Sequence, residues 1–144
     1  MNSMKQIIIV MLIICLPIIF SACAQESNSD PNAIYIEIKC QSADVYQIFY
    51  SSYIDGQFYG MGAVADQDGR MLTSDMVLQT VLTKSYFEDS DVSLLSMDFS
   101  PYSENESHEM GTTNRVAIKA EYGKTYTVLI SGSKESGFTA TLEE

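Results

Sequence analysis

Residues 45–65, VYQIFYSSYIDGQFYGMGAVA, decide the fold of this chain. Two runs rich in aromatic and β-branched residues, 45–54 and 57–65, stand on either side of Asp55-Gly56. Side chains of this kind are enriched in β-strands. An Asp-Gly pair between two such runs is a strong hairpin signal, because both central positions of a type I′ turn require φ > 0. The stretch therefore predicts an antiparallel hairpin closed by a two-residue turn.

Hydrophobic residues recur with a period of two on both sides of this hairpin. In residues 34–40, isoleucine and cysteine alternate with mostly polar side chains, as in a half-buried strand. Further strand candidates are residues 76–83, 92–99, 115–121, 125–131 and 138–142. Segment 76–83 is also compatible with a short helix, and residues 100–113 are the longest predicted loop. Short strands at regular spacing are typical of sandwiches and barrels. We therefore expect one all-β domain in residues 33–144, an antiparallel β-sandwich, immunoglobulin-like or similar, of seven to nine short strands.

The hairpin turn also predicts which residues face each other. Across a two-residue turn, the predicted partners are Phe49 with Gly62, Ser51 with Gly60, and Tyr53 with Phe58. One face would then carry Phe49, Tyr53 and Phe58 beside two glycines, a shallow platform suited to a sugar ring or to an aromatic anchor of a protein partner. Rings that pack over glycines without any ligand are the alternative. The sequence leaves open which hairpin face is core, with a preference for the isoleucine-containing face.

The first residues resemble an export signal. An apolar segment of 14 residues, 7–20, follows Lys5. It is too short to span a bilayer as a helix, which takes about 20 residues. Small residues come next, as before the cleavage site of a secretory signal. The run Phe20-Ser21-Ala22-Cys23 resembles the lipobox of bacterial lipoproteins, with Phe20 where that family usually has Leu.

This resemblance implies a location and an anchor. Residues 1–22 would be a removed signal peptide, and the Cys23 sulfur would carry a diacylglycerol. Residues 23–32 would comprise the lipidated cysteine and a flexible tether, because the segment after Cys23 is polar and without periodicity. The protein would then be an extracytoplasmic lipoprotein, attached through its N-terminal lipid to the cell membrane or to the outer surface of the envelope.

The charge of the chain restricts its partners. Residues 1–22 hold one of the eight basic residues and none of the 19 acidic ones, so the mature chain would have a net charge of −12. A chain this acidic is repelled by nucleic-acid phosphates and lacks the basic footprint that nucleic-acid binding needs. We expect no nucleic-acid partner, and an envelope protein or polysaccharide as the partner class.

Acidic residues near turns raise the question of a metal site. Asp66 and Asp68 precede Gly69, but Val64 stands where an EF-hand loop would place another acid. Asp and Gly are also the residues that a tight turn uses, so the segment predicts a turn. The acids within residues 88–91 and 104–109 are interpreted as solvated loops. We expect no metal and no cofactor.

The remaining residues do not indicate an enzyme. The chain has one histidine, His108, in a polar acidic loop, and no serine in a Gly-x-Ser-x-Gly elbow. Cys40 lies in phase with the isoleucines of residues 34–38, which predicts a small, inert core residue. The sequence therefore favours a non-enzymatic binding or structural envelope protein whose specific ligand it does not identify. A carbohydrate-binding module that uses the 45–65 hairpin is the alternative, and a hydrolase with dispersed carboxylates ranks third.

Overall fold

The computed structural model describes residues 30–104 and 108–143, which form two packed four-stranded β-sheets. The first sheet has the strand order β4-β1-β7-β8, and the second has the order β3-β2-β5-β6. The strands are β1 (Ala33–Cys40), β2 (Gln47–Ile54), β3 (Gln57–Ala65), β4 (Val77–Thr83), β5 (Leu95–Tyr102), β6 (Val116–Ala117), β7 (Thr125–Ser133) and β8 (Gly137–Glu143). A helical turn, α1 (Lys84–Phe87), follows β4, and a 3₁₀ turn, Val92–Leu94, precedes β5. The predicted β-sandwich and its strand number are confirmed.

The core lies between the sheets, where the alternating side chains of each strand meet. Ile34, Ile36 and Ile38 of β1 are all at most 1% exposed. They face Ile48 of β2 and Phe99 of β5, which are also fully buried. Strands pack in this way because successive side chains point to opposite faces of a sheet, so one face can be wholly apolar. β1 pairs antiparallel with β4 and parallel with β7, a mixed pairing that the prediction of an antiparallel sandwich did not contain.

The hairpin turn has the predicted geometry, but the predicted register is wrong beyond its first pairs. Asp55 (φ 50°) and Gly56 (φ 75°) both have positive φ, and Tyr53 pairs with Phe58 as expected. A β-bulge follows between Ser52 and Tyr53, so Phe49 pairs with Ala63 and Ser51 pairs with Met61. The predicted partners Gly62 and Gly60 pair instead with Tyr50 and Ser52. A bulge places one extra residue in one strand, which turns every later side chain of that strand to the other face.

Tyr59 is the extra residue, and its contacts explain the bulge. The Tyr59 ring packs against Tyr86 at 5.5 Å and Phe87 at 5.4 Å, both in α1. Its hydroxyl donates a hydrogen bond of 3.0 Å to the Tyr86 carbonyl oxygen. Because Tyr59 packs on α1, the regular alternation of side chains along β3 is interrupted at this residue. No local sequence pattern predicts this contact.

The bulge moves both glycines of β3 to the core face. A Cβ on Gly62 would overlap the ring of Tyr50, and a Cβ on Gly60 would overlap the Tyr86 hydroxyl. Tyr50 is 9% exposed, and its hydroxyl is 2.8 Å from the Thr80 hydroxyl in the first sheet. The face of β2 with Ile48 and Tyr50 is therefore the core, and the glycines make room for inward-pointing rings.

Several boundaries differ from the sequence prediction. Segment 76–83, for which a helix was also possible, forms strand β4. β5 continues to Tyr102, so the loop predicted to start at residue 100 begins after the strand. The predicted strand at 115–121 shrinks to two paired residues, although Ile118 and Ala120 are buried as its alternation implied. Lys119 has φ 51°, which ends the extended conformation there.

The predictions for the N-terminal region lie mostly outside the described residues. The signal peptide, Cys23 and the tether up to residue 29 all precede Asp30. The last predicted tether residues, Asp30–Asn32, contact the domain, where the Asn32 carbonyl accepts a 2.8 Å hydrogen bond from the Lys84 amide. Within the described ranges, no helix has the length and apolar character needed to cross a bilayer.

Candidate binding surface

The outer face of the second sheet carries the residues singled out from the sequence. Phe49, Ser51 and Tyr53 point away from the core because they alternate with Ile48, Tyr50 and Ser52 on β2. Across the ladders, this face continues with residues of β3 and β5, and Arg115 lies just before β6. We call its apolar and charged centre the aromatic face, which consists of Phe49, Tyr53, Phe58, Met61, Asp98, Tyr102 and Arg115.

The rings of the aromatic face form two pairs. Phe49 and Tyr102 lie 4.7 Å apart with an interplanar angle of 52°. Tyr53 and Phe58 lie 5.9 Å apart with an angle of 77°, which is an edge-to-face contact. Both geometries are favourable for aromatic pairs. The structure therefore brings Phe49, Tyr53 and Phe58 to one face as predicted, but without the two glycines and without a coplanar strip.

Arg115 covers one side of Tyr53. Its guanidinium carbon lies 3.3 Å from the centre of the Tyr53 ring, a stacked cation–π contact. The same group is 3.8 Å from the Asp98 carboxylate and donates a 3.4 Å hydrogen bond to the Gly56 carbonyl oxygen. The guanidinium is thereby held over the ring, and it links the hairpin turn to Asp98 of β5.

Two members of the aromatic face are strongly exposed. Phe58 is 59% exposed and Met61 is 67% exposed, the two highest values among the exposed large hydrophobic residues of the described chain. Phe49, Tyr53 and Tyr102 are half-buried because they pack on their neighbours. Exposed apolar side chains that adjoin one another indicate an interaction site more often than isolated ones do.

A small polar cluster borders the Phe49–Tyr102 pair. The Ser100 hydroxyl lies 2.9 Å from the Thr112 hydroxyl, which donates a 2.7 Å hydrogen bond to the Glu109 carboxylate. Ser100 shares the outer face of β5 with Tyr102, two residues along the strand. The cluster places hydroxyls and one carboxylate at the rim of the aromatic face.

Sequence reasoning missed Tyr102, Asp98 and Arg115. Asp98 follows from the period of two within the predicted strand 92–99, and Tyr102 follows once β5 is extended to its true end. Arg115 begins the predicted strand 115–121, and its contact with Tyr53 joins residues far apart in the chain. Only the tertiary structure brings these three residues to the hairpin.

The acidic turn after β3 is built as the sequence predicted. The Gly69 amide donates a 3.0 Å hydrogen bond to the Asp66 carbonyl oxygen, which closes the turn. The Asp66 carboxylate accepts hydrogen bonds from the Arg70 Nε at 2.9 Å and Nη2 at 3.1 Å. Mainly because of these bonds, the pKa of Asp66 is lowered to about 2. Among the described residues, no three His, Cys, Asp or Glu side chains are grouped as a metal site would require.

Cys40 is a core residue, as its phase with the isoleucines predicted. It is 3% exposed, and its thiol lies 3.9 Å from the Ser42 carbonyl oxygen. Burial raises the pKa of this thiol, because the charged thiolate would lose its hydration. A buried thiol with a raised pKa is a poor nucleophile.

Comparisons with known proteins give no family for this chain. No protein-family model matches it, and no curated protein matches it. Among solved structures, it is similar to an NMR structure of a protein from Eubacterium rectale, with 12% identity, a TM-score of 0.41, and coverage of 86% of this chain and 96% of that one. It is also similar to the membrane-binding domain of pneumolysin, with 16% identity, a TM-score of 0.38, and coverage of 78% and 96%. A third similar structure is a Gram-negative toxin, with 11% identity and a TM-score of 0.37. The match covers 77% of this chain and 23% of that one.

Proposed function

We propose that this protein is a lipid-anchored, extracytoplasmic, non-enzymatic binding protein that contacts a protein of the cell envelope through its aromatic face. The observation that carries the proposal is the Arg115 guanidinium stacked on Tyr53, beside the exposed side chains of Phe58 and Met61. The location rests on the lipobox-like run that ends at Cys23.

The composition of the aromatic face supports a protein partner. Aromatic residues, methionine and arginine are the types enriched in the cores of protein–protein interfaces. Tyrosine and arginine also dominate the few residues that contribute most of the binding energy. Arg115 is already held by Tyr53, Asp98 and the Gly56 carbonyl, so binding would order little of its side chain.

A carbohydrate ligand is the second candidate, and the polar cluster is the observation in its favour. Ser100, Thr112 and Glu109 place hydrogen-bonding groups next to the Phe49–Tyr102 pair. A sugar ring stacks on the open flat side of an aromatic ring, however. Arg115 occupies one side of Tyr53, and both ring pairs are tilted. The protein partner therefore ranks first.

Crosslinking in envelope preparations that contain the full-length chain tests the contact surface. We expect Arg115→Glu and Phe58→Ser each to remove the crosslinked partner. Lys134→Glu is the matched charge control, since this exposed residue lies in the turn before β8. Leu94→Ser is the matched apolar control, since Leu94 is 47% exposed in the 3₁₀ turn before β5, outside the aromatic face. Thermal unfolding of all four variants shows whether any loss of crosslinking reflects misfolding.

Three outcomes would contradict the proposal. A partner that survives both Arg115→Glu and Phe58→Ser would exclude the aromatic face as the contact surface. Loss of the partner in Lys134→Glu as well would indicate a response to net charge alone. Specific retention of an envelope polysaccharide instead of a protein, sensitive to Phe49→Ala, would replace the proposal with the carbohydrate alternative.

A further inference from the structure

Strand β3 leaves one of its edges unpaired. It forms a ladder with β2 on one side, and no other described strand lies along its other side. After the bulge, the six residues Gly60–Ala65 keep a regular register with β2. Their backbone is in an ordinary strand conformation, since neither Gly60 nor Gly62 is among the residues with positive φ. The outer edge of this segment thus offers a regular row of backbone donors and acceptors.

The β3 edge lacks the usual protection against pairing with another chain. Natural edge strands carry a charge or a proline, are very short, are bulged, or are covered by a helix or loop. β3 contains no charged residue and no proline, and both its bulge and its contacts with Tyr86 of α1 lie at Tyr59 and Gly60, towards the turn. By contrast, β6 has only two residues, and β8 ends in Glu143, which forms a 2.8 Å ion pair with Lys39.

Exposed apolar side chains concentrate around this edge. Five of the six exposed large hydrophobic residues of the described chain lie on β3, on β4 or between them. These five are Phe58, Met61, Met71, Val77 and Val81. β4 is the neighbouring edge of the other sheet, and it also contains no charge. An added strand beside β3 would place alternate side chains next to Phe58 and Met61 and would extend the aromatic face.

The two ends of the edge are acidic. Asp66, Asp68 and Asp75 lie just beyond the Ala65 end, with Arg70 as the cation among them. Arg70 is itself engaged by Asp66, so the group keeps an excess of negative charge. At the other end, Asp55 precedes β3, and Glu88 and Asp89 follow α1, which packs on Tyr59. The cations at this end are Lys84 of α1 and Arg115, and Arg115 is paired with Asp98, so acidic groups are again in excess. An uncharged strand edge between two acidic ends is complementary to an uncharged extended segment with basic ends.

We propose that the outer edge of β3 binds an extended polypeptide segment as an additional strand, and that this segment has lysine or arginine at both ends. Main-chain hydrogen bonds would supply affinity, and alternate side chains would supply specificity, as in other cases of strand addition. The inference rests on the proposed function in taking a protein as the partner. A second copy of this chain is the weaker occupant, because antiparallel pairing of two β3 edges would bring acidic ends together in a chain of net charge −11.

A designed peptide tests the proposal with the full-length protein in detergent. The probe is fluorescein-labelled Lys-Lys-Thr-Val-Thr-Val-Thr-Val-Lys-Lys, whose central six residues match the length of Gly60–Ala65. Fluorescence anisotropy measures its affinity, and amide hydrogen exchange of residues 57–65 reports on the new backbone hydrogen bonds. We expect saturable binding with a dissociation constant below about 1 mM and slower exchange across β3.

Protein and peptide variants separate strand addition from simple charge attraction. Met61→Lys places a charge on the edge strand and should weaken binding about tenfold. Thr141→Lys adds the same charge at an exposed position of β8, the far edge strand of the other sheet, and should change the affinity by less than about threefold. A peptide with proline at its middle valine should bind at least about tenfold more weakly because it loses a backbone donor. A peptide with glutamates at both ends should also lose affinity.

Several results would overturn the inference. These are an absence of saturable binding, equal binding of the proline peptide, equal binding of the glutamate-ended peptide, or unchanged exchange in residues 57–65. Concentration-dependent dimerisation in analytical ultracentrifugation that Met61→Lys abolishes would make a second copy the occupant. If strand addition fails while Arg115→Glu still removes the crosslinked partner, only this inference is refuted and the proposed function stands.

Discussion

The replacement of Gly62 by alanine tests the packing that the β3 bulge creates. The backbone of Gly62 accepts any L-residue, because its φ is not positive. The added Cβ would nevertheless overlap the Tyr50 ring, and even the more distant Cε1 atom would lie only 3.0 Å away. Tyr50 is 9% exposed and hydrogen-bonded to Thr80, and three of its ring and hydroxyl atoms lie within 3.0 Å of the added Cβ, so its whole ring must move. We therefore expect Gly62→Ala to destabilise the fold.

The expected magnitude follows from three contributions. Overpacking of a core site costs about 1–3 kcal/mol. Displacement of the Tyr50 ring also breaks its 2.8 Å hydrogen bond with Thr80, a loss of about 1 kcal/mol. Alanine restricts the unfolded chain more than glycine does, which stabilises the folded state by about 0.5–1 kcal/mol. The net loss is about 2 kcal/mol, which lowers the urea midpoint of the full-length protein by about 1 M at an unchanged m-value.

A second substitution makes the cause of this loss measurable. In a Tyr50→Leu background the overlapping ring is absent, so only the effect of alanine on the unfolded chain remains, and Gly62→Ala should stabilise the protein by about 0.5–1 kcal/mol. The double-mutant cycle would then give a coupling of about 3 kcal/mol. Ala63→Gly, at the exposed neighbouring position, is a control for strand propensity and should cost about 0.5–1 kcal/mol. A Gly62→Ala protein as stable as the wild type would refute the register, since the originally predicted pairing places Gly62 beside Phe49 on the open face.

Four further predictions concern the turn, the anchor and the acidic loops. Gly56→Val should cost about 1 kcal/mol or more in urea unfolding because φ is 75° there, and an unchanged midpoint would contradict the turn assignment. Cys23→Ser should release the protein from membranes and remove the mass of the lipid, since an acyl anchor contributes about 0.8 kcal/mol per buried CH₂. A variant that stays membrane-bound, with no loss of mass relative to the wild type beyond the substitution itself, would exclude the lipoprotein proposal. The pKa of Asp66 is lowered from 3.8 to about 2, so its stabilising effect is present above pH 3.8 and is lost as the pH falls towards 2. The stability of Asp66→Asn should therefore fall less steeply with pH in this window. An identical pH profile would show that the Arg70 contact contributes nothing to stability. Calcium should shift the melting temperature no more than sodium at equal ionic strength, whereas a saturable calcium-specific shift would reveal a site in the acidic loops.

Local chemistry made much of the fold predictable. The Asp55-Gly56 turn was predictable because only a few residue types accept positive φ at both central positions. The burial of Ile36, Ile38 and Cys40 was predictable because a strand alternates its faces. The two-sheet architecture followed from many short alternating segments in one chain of domain size.

The register of β3 was not predictable, because its cause lies elsewhere in the chain. Tyr59 leaves the alternation in order to pack on Tyr86 and Phe87 of α1, roughly 27 residues later. This contact moves Gly60 and Gly62 to the core and leaves Met61 exposed. The predicted pairs were obtained by counting residues outward from the turn, which assumes an uninterrupted ladder. A single bulge therefore changes every predicted pair beyond it and moves the side chains of β3 to the other face.

The amino-acid sequence by itself determined the strand-forming segments, the hairpin turn, the acidic character and the aromatic residues Phe49, Tyr53 and Phe58, because each depends on neighbours within a few residues. The tertiary structure alone decided that β1 pairs with β7, that Arg115 lies on Tyr53, and that the β3 edge stays unpaired. The first two features join segments up to about 90 residues apart, so they depend on tertiary packing and not on local sequence. The candidate binding surface belongs to this second group, since its ring pairs and its arginine meet only when the sheets have formed.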